Sequence, residues 1–231
     1  MQFSLERIGV ESDESDIIDL DDFKVGYFVG KKWQSGTVND DALVIAQRKD
    51  EILLCIADGA GGHPKGDEAA KLAVLEIKEA FLKEENFLEA IEKVNDKINA
   101  FRAQAHSTVI FGHIKGDFIR FFSVGDSEVL YWNAVGSLLY NNIPQSMVGH
   151  AVEAGLISQE DSLDHENRHI VHNMLGDPAI RIEVTTRFEL KKGHSIILGS
   201  DGLFDNLDHQ ELEAICSRGQ FQEVFSELTN Y

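Results

Sequence analysis

The sequence contains little proline and cysteine: three prolines and two cysteines in 231 residues. So few prolines, together with 43% hydrophobic residues, are typical of a folded globular chain rather than a disordered one. Cys55 lies in an apolar, strand-like run and Cys216 in a helical segment, and neither is flanked by a redox or zinc motif. We therefore interpret both cysteines as reduced packing residues.

Positive charge is also scarce. The chain has 21 Lys and Arg residues against 40 Asp and Glu residues, which gives a formal net charge of −19. A field of this sign repels nucleic acids and anionic membrane surfaces. The sequence also lacks an apolar run of about 18 residues and a basic start followed by an apolar stretch, so we expect neither a membrane span nor a secretory signal. These absences predict a cytoplasmic monomer without a nucleic-acid or membrane partner.

The patterns that are present divide the chain into an acidic lead-in, residues 1–22, and one domain, residues 23–231. The lead-in carries seven acidic residues between 11 and 22, and we expect it to be partly ordered at most. After it, short apolar runs separated by Gly, Asn, Asp and Lys predict successive antiparallel strands, with a hairpin turn at Arg48-Lys49-Asp50. Apolar residues at helical spacing predict three helices, within residues 69–81, 88–102 and 210–228. The order predicts an α+β domain whose helices cover sheet faces.

A polar stretch from Asn141 to Asn167, rich in Asp, Glu and His, interrupts the strand pattern. It contains one short helical piece around residues 150–155. We interpret it as an insertion that lies over the surface.

Four aspartate-containing sites share one placement, at or just past the end of a strand-like run. Their sequences are Asn39-Asp40-Asp41-Ala42, Asp58-Gly59-Ala60-Gly61-Gly62, Val124-Gly125-Asp126-Ser127 and Ser200-Asp201-Gly202-Leu203-Phe204-Asp205. Asp-Gly is a common hairpin dipeptide, so any one of these sites alone favours a turn. Four such sites together favour a shared function.

Several carboxylates in one cleft repel each other by several kcal/mol per pair and therefore need a cation. Ligands that are all oxygen suit Mg²⁺ or Mn²⁺. The nine histidines form no His-x-x-x-His pair within a predicted helix and have no cysteine pair beside them, which disfavours zinc. A bare set of strand-end turns without metal is the plainer alternative.

These residues resemble the metal-dependent serine/threonine protein phosphatases of type 2C. Asp58-Gly59-Ala60-Gly61-Gly62 is similar to the family's Asp-Gly-x-Gly-Gly segment, and Ser200-Asp201-Gly202-Leu203-Phe204-Asp205 to its Ser-Asp-Gly-Leu-x-Asp element. Val124-Gly125-Asp126-Ser127 is similar to its Gly-Asp-Ser-Arg element, with Glu128 in place of the Arg. The three motifs occur in family order, with Ser107-Thr108 opening the strand before the second, and the resemblance runs from about Val25 to the end of the chain.

The resemblance implies a fold and a metal centre. The fold is an antiparallel β-sandwich flanked by helices on both sides, in α-β-β-α layers. The centre holds two Mg²⁺ or Mn²⁺ ions and a weaker third, and a water activated by two ions hydrolyses phosphoserine and phosphothreonine in a protein substrate. The implied metal-site residues are Asp40, Asp58, Gly59, Asp126 and Asp201, and the implied catalytic residues are Asp41 and Asp58, with Asp40-Asp41 holding metal-bound water.

The sequence departs from the family at three places. The position of the family's phosphate-binding Arg is Gly36, which leaves Arg48, Arg168 or the metals to bind phosphate. Ala60 stands where many eukaryotic members carry a histidine acid, with His63 as the nearest substitute. The family's final Asp-Asn-x-Thr motif is not found after Asp205, so the resemblance implies either a domain that lacks its C-terminal end or a natural variant with an incomplete first metal site.

These departures keep a second function open. A chain without the Arg and the final Asp could be a non-catalytic module, a pseudophosphatase, that binds phosphoproteins or regulators on the same fold. Metal-dependent hydrolysis of a small aryl phosphate distinguishes the two functions.

Overall fold

The fold is described from a computed structural model, for residues 2–30, 39–61, 64–216 and 220–230. The strands are β1 (Gln2–Ile8), β2 (Glu14–Leu20), β3 (Phe23–Val29), β4 (Asp41–Arg48), β5 (Glu51–Asp58), β6 (Val109–Lys115), β7 (Phe118–Val124), β8 (Glu128–Trp132), β9 (Leu138–Asn141), β10 (Glu183–Val184), β11 (Phe188–Glu189) and β12 (Ser195–Gly199). The helices are α1 (Gly66–Lys83), α2 (Phe87–Asn99), α3 (Met147–Glu153), α4 (Gln159–Leu163), α5 (Asp201–Phe204), α6 (His209–Cys216) and α7 (Phe221–Leu228).

The strands form a seven-stranded sheet, a three-stranded sheet and a two-stranded hairpin. The first sheet has the order β1-β4-β5-β6-β7-β10, and β11 also pairs with β7. The second has the order β12-β8-β9, and β2 pairs with β3. All of these pairings are antiparallel.

Three hydrophobic clusters show how the layers stack. Alternate residues of the large sheet, such as Val44 and Leu53, pack against α1 and α2, while Ile45 and Ile52 on the other face pack against the second sheet. The far face of the second sheet, including Leu130, packs against α5 and α6. This confirms the predicted α+β fold, an antiparallel β-sandwich flanked by helices in α-β-β-α layers.

The prediction of a partly ordered lead-in at residues 1–22 is wrong. β1 pairs with β4 along its whole length, from Gln2 opposite Arg48 to Ile8 opposite Ala42, and β2 pairs with β3. Two of the few apolar residues between 11 and 22, Ile18 and Leu20, pack against the core between the sheets. A strand can bury one face and leave its charged side chains in water, so a high acidic content did not exclude order.

Other elements differ in detail from the sequence predictions. The β4–β5 hairpin is confirmed, with Lys49 at a positive φ of 55° in its two-residue turn. The polar stretch 141–167 contains two helices, α3 and α4, instead of one helical piece. Val171 forms an isolated bridge with Ser146, and the helix predicted within residues 210–228 is two helices, α6 and α7.

Cys55 is buried in the sheet–helix core, Cys216 is half-buried, and both are free thiols, as predicted. Burial raises the pKa of both thiols, that of Cys216 to about 11. Among the described helices, none is long and apolar enough to cross a membrane.

Candidate active site

Asp41 and Asp58 lie at the open end of the β4–β5 hairpin. They are register partners, so the strand pairing itself brings the two carboxyl groups together. The Asp41 N–H donates to Asn39 Oδ1 at 2.9 Å, and Asn39 Nδ2 donates to the Gly30 carbonyl oxygen at 3.0 Å. Asn39 is buried and fixes the entry into β4, a role that the sequence analysis did not assign.

Asp58 is tied to the next strand through Ser107 and Thr108. Its carbonyl oxygen accepts from the Thr108 N–H at 2.8 Å and from Ser107 Oγ at 2.9 Å, and its own N–H donates to Thr108 Oγ1 at 3.1 Å. Thr108 Oγ1 also lies 2.7 Å from Ser127 Oγ, beside Asp126. The Ser107-Thr108 pair therefore connects the Asp58 segment with the Asp126 segment.

Gly59 is in contact with the start of α1. A Cβ atom at this position would lie 2.4 Å from the carbonyl carbon and oxygen of Gly66 and 2.8 Å from the Asp40 carbonyl oxygen. The Gly59 N–H donates to that same Asp40 oxygen at 3.1 Å. Only glycine fits here, because β5, α1 and the approach to β4 meet at this point.

Asp126 lies in the loop that connects β7 of the first sheet with β8 of the second, and Asp201 follows β12 of the second sheet. Asp126 follows Gly125, which has a φ of 109° and would bring a Cβ to 2.7 Å from Thr108. Asp201 is the first residue of α5, directly after β12. β12 pairs with β8 so that Gly199 lies opposite Glu128, which brings the ends of the two motifs to one edge.

The electrostatics show which carboxylates the fold brings together. Burial, followed by the charges of Asp41, Asp201 and Asp126, raises the pKa of Asp58 to about 10. Burial and the Asp201 charge raise the pKa of Asp41 to about 6 and that of Asp126 to about 7. Asp41, Asp58, Asp126 and Asp201 therefore form one group, which we call the carboxylate cluster.

Asp40 stands apart from the centre of this cluster. Burial and the nearby Asp67, in the first turn of α1, raise its pKa, and it also acts on Asp41. It is not among the groups that shift the pKa of Asp58. Of the adjacent pair, Asp41 is the residue that faces the other motifs.

The chemistry of the cluster fits a cation. Each raised pKa means that burial and neighbouring carboxylates destabilise the ionised form, and a divalent cation would remove that penalty. Asp58 lies among the carboxyl groups of Asp41, Asp201 and Asp126, whose charges contribute to its raised pKa. Among the described residues, no three His, Cys, Asp or Glu side chains are arranged to hold a metal ion as they stand, so cation binding would require these side chains to reorient.

A cleft adjoins the cluster and is lined by Asp126, Asp201, Asp205, Glu128 and Arg168, among other residues. Arg168 Nε lies 3.0 Å from Asp205 Oδ2. His209 Nε2 lies 3.0 Å from an oxygen of the buried Glu128, which stands in place of the family's Arg. The sequence analysis missed this Glu128–His209 pair, because nothing in the local pattern connects residues so far apart.

The candidate cations for phosphate have different outcomes. Arg48 lies at the opposite end of the eight-residue strand β4 from Asp41, about 23 Å away at the usual rise per residue, where it pairs with Glu51 and Glu84. The prediction of Arg48 as a phosphate ligand is therefore wrong, whereas Arg168 lines the cleft beside the cluster. Gly36 and His63 lie outside the described residues.

Comparison with known proteins assigns the chain to a family. The family model of protein phosphatase 2C matches residues 30–231. The chain belongs to the protein phosphatase 2C family. It is therefore a protein phosphatase, of a metal-dependent family, and the predicted resemblance is confirmed.

Individual relatives are more distant. The chain is 26% identical over 199 residues to a serine/threonine phosphatase stp of Listeria monocytogenes, with 76% of each chain covered. The structure of the S. agalactiae serine/threonine phosphatase matches with a TM-score of 0.72 at 21% identity, over 99% of this chain and 92% of that one. The catalytic domain of the phosphatase PstP in complex with two manganese ions matches with a TM-score of 0.70 at 18% identity, over 99% and 90%.

Proposed function

We propose that the protein hydrolyses phosphoserine and phosphothreonine in proteins, with Mg²⁺ or Mn²⁺ bound at the carboxylate cluster. The observation that carries the proposal is the convergence of Asp41, Asp58, Asp126 and Asp201 from four separate segments, in which burial and the neighbouring carboxylates raise the pKa values of Asp41, Asp58 and Asp126. Relatives named serine/threonine phosphatases support the substrate class. Neither these relatives nor the described residues favour the non-catalytic alternative.

Asp58 is the proposed bridging ligand, because it interacts with the three other carboxylates of the cluster. Asp201 would hold an ion together with Asp58, Asp126 would contribute to the weaker third site, and the Gly59 carbonyl oxygen would be a further ligand. Asp41 takes the role first assigned jointly to Asp40 and Asp41, that of orienting water, because its side chain faces Asp58. Two bound divalent ions would supply the lowered pKa of an attacking water and the stabilisation of charge on the phosphoryl oxygens.

Arg168 is the proposed phosphate-binding side chain. It lines the same cleft as Asp126 and Asp201, and its ion pair with Asp205 holds the guanidinium there. A guanidinium donates two parallel hydrogen bonds to a phosphate, which orients the group for in-line attack. This assignment replaces the contact that Gly36 cannot make.

The substrate is a phosphorylated protein, and a monomeric state and a cytoplasmic location remain predictions. The cleft combines charged side chains, including Asp126, Asp201 and Arg168, with apolar ones such as Val148 and Phe204, so it can contact both a phosphate group and the peptide around it.

The test is steady-state hydrolysis of one phosphothreonine peptide with Mn²⁺ and with EDTA. Asp58→Asn keeps the side-chain volume but removes the charge shared by two cations, so we expect kcat to fall by about a thousandfold or more. Asp96→Asn, an exposed change in α2, is the matched control and should leave kcat unchanged. Hydrolysis that persists at the same rate in EDTA, or in Asp58→Asn, would contradict the proposed function.

A further inference from the structure

A second pocket, of about 410 Å³, lies beside α3 and apart from the cluster's own cleft. Its polar lining consists of Gln145, His150, His172, Asn173 and Arg181. Each of these side chains can donate a hydrogen bond, and Ala179 and Ile180 complete the wall. In a chain with 40 acidic residues, the described lining contains no carboxylate, so its chemistry selects an anion.

Gln145 presents an unused donor in the wall of this pocket. Its side chain is 1% exposed, and its Oε1 accepts from the Gly125 N–H at 2.8 Å and from Asn173 Nδ2. Because a backbone N–H can only donate, the amide orientation is fixed by chemistry and Nε2 faces the other way. Among the described residues, Nε2 has no hydrogen-bond partner. A buried donor without an acceptor is unfavourable, and an anion oxygen would satisfy it after a small movement of the wall.

Two imidazoles and one guanidinium form one side of the pocket. The rings of His150 and His172 are parallel within 5°, with centroids 6.3 Å apart, and both side chains are exposed. Asn173 fixes the backbone of Arg181: its Oδ1 accepts from the Arg181 N–H at 2.8 Å and its Nδ2 donates to the Arg181 carbonyl oxygen at 2.9 Å. The guanidinium itself is 2.8 Å from Glu183 Oε1, an ion pair at the surface that a stronger anion can displace.

We infer that this pocket binds a phosphate monoester, through Arg181, His150 and His172. A doubly charged tetrahedral oxyanion offers acceptors in several directions, which matches donors that come from separate walls. The pocket is connected to the metal-site segment, because Gln145 binds Gly125 next to Asp126. Resting on the proposed function, we assign the bound group to a second phosphorylated side chain of the same substrate protein; free phosphate released by hydrolysis offers the same chemistry.

The first experiment measures binding without metal, so that the carboxylate cluster cannot contribute. Inorganic phosphate is titrated into the full chain in EDTA at constant ionic strength, while the histidine C2–H resonances are followed by NMR. We expect saturable shifts of two resonances, assigned by their loss in His150→Gln and His172→Gln. Arg181→Gln should raise the dissociation constant about tenfold, as expected for the loss of one charge-assisted contact.

Two further variants sharpen this measurement. Arg187→Gln removes the same charge from an exposed position that does not line the pocket, and it should leave the dissociation constant unchanged. Glu183→Gln removes the competing carboxylate and should tighten phosphate binding severalfold. Equal effects of Arg181→Gln and Arg187→Gln, or the absence of saturable histidine shifts, would overturn the assignment.

The second experiment distinguishes the two sources of phosphate. In Mn²⁺, Arg181→Gln should raise KM about tenfold for a peptide with two phosphorylated residues, with kcat unchanged, and should leave KM for the singly phosphorylated peptide as it is. If Arg181→Gln changes the two KM values by the same factor or not at all, the substrate assignment is wrong. If it then weakens only inhibition by free phosphate, the pocket binds the product. If neither peptide is hydrolysed by the parent chain, the proposed function fails while the NMR result still stands or falls by itself.

Discussion

Two arginines show how the position of a side chain in the fold decides whether it can reach the phosphate. Arg48 and Asp41 are the two ends of β4, so the same strand that brings Asp41 to Asp58 carries Arg48 away from them. Arg168 comes from the loop after α4 and reaches the cleft only through the tertiary fold. Sequence reasoning could name both as candidates but could not rank them, because their separation from the cluster depends on strand length and loop path.

Substitution of Arg168 tests its role at the residue scale. Arg168→Gln removes the bidentate phosphate contact and should raise KM for a phosphothreonine peptide by about ten- to a hundredfold, with a smaller change in kcat. Arg187→Gln removes an exposed arginine elsewhere and serves as the control. An unchanged KM in Arg168→Gln, measured with saturating Mn²⁺, would mean that this side chain does not contact the phosphate.

The crossing of β5 and α1 explains why the Asp-Gly segment can hold its geometry. Gly59 touches Gly66 so closely that neither position has room for a larger residue. Helix α1 then packs Ala69, Ala70 and Ala73 against the sheet, and small residues there permit the close approach. The sequence showed the glycines and the helical period, but their mutual contact became visible only in the structure.

Gly59→Ala tests this crossing. The new Cβ would lie 2.4 Å from backbone atoms of Gly66, so α1 must shift, and we expect a loss of about 2–4 kcal/mol in the free energy of unfolding, together with loss of activity. Gly61→Ala, in the same segment, has no atom within 4 Å and should change stability by less than about 0.5 kcal/mol. Urea denaturation measures both. Equal stabilities would show that the crossing is not tight.

The other end of the hairpin carries a charge cluster around Glu51. This buried carboxylate accepts from His113 Nε2 at 2.8 Å and Lys115 Nζ at 2.9 Å, and it pairs with Arg48. Burial alone would raise the pKa of Glu51, but the hydrogen bonds from Lys115 and His113 and the charges of His113 and Arg48 lower it below its ordinary value of 4.5. Burial, partly opposed by Glu51, lowers the pKa of His113 below its ordinary value of 6.5.

Both pKa shifts make the folded state less stable as the pH falls. A carboxyl group with a lowered folded-state pKa stabilises the fold above its unfolded pKa, and this contribution is lost as the pH falls through the folded value. A histidine with a lowered folded-state pKa is protonated first in the unfolded chain, so stability falls as the pH drops below about 6.5. The hairpin should therefore weaken in acid.

The variant Glu51→Gln measures the contribution of Glu51 to this pH dependence. We expect the variant to be about 1–2 kcal/mol less stable than the parent at pH 7, because hydrogen bonds to a charged acceptor are lost. The gap should narrow as the pH falls from 5 to 3.5, since the parent's carboxylate is then protonated. Glu92→Gln, an exposed change in α2, should show no gap. If the difference in the free energy of unfolding between the parent and Glu51→Gln stays constant across this pH range, it does not arise from the ionised carboxylate.

At the scale of the whole molecule, the sequence pattern predicted an α+β domain and the family resemblance implied its α-β-β-α layers. Neither predicted the N-terminal strands β1 and β2. Apolar runs bounded by polar turns predicted the β4–β5 hairpin, whose strands are buried on both faces, and helical spacing predicted α1 and α2, which each bury one face. The prediction of partial order for the acidic residues 1–22 is wrong, because a strand with one solvent-exposed face can carry many charges. Convergence of the four aspartate motifs was predicted from strand ends and family order, whereas the larger part that Asp41 plays beside Asp58 became visible only from the register of β4 and β5.

The central claim is that Asp41, Asp58, Asp126 and Asp201 form one divalent-cation centre, and Mn²⁺-dependent thermal unfolding tests it most directly. At a hundredfold excess over the dissociation constant, Mn²⁺ should add about 2.7 kcal/mol of stability, which raises the melting temperature by about 5–10 °C over the value in EDTA. Asp58→Asn should melt in EDTA at or above the parent's temperature, because it removes a buried carboxyl that its neighbours repel, and should lose most of the Mn²⁺ response. A parent melting curve that is the same in EDTA and in millimolar Mn²⁺ would contradict the account.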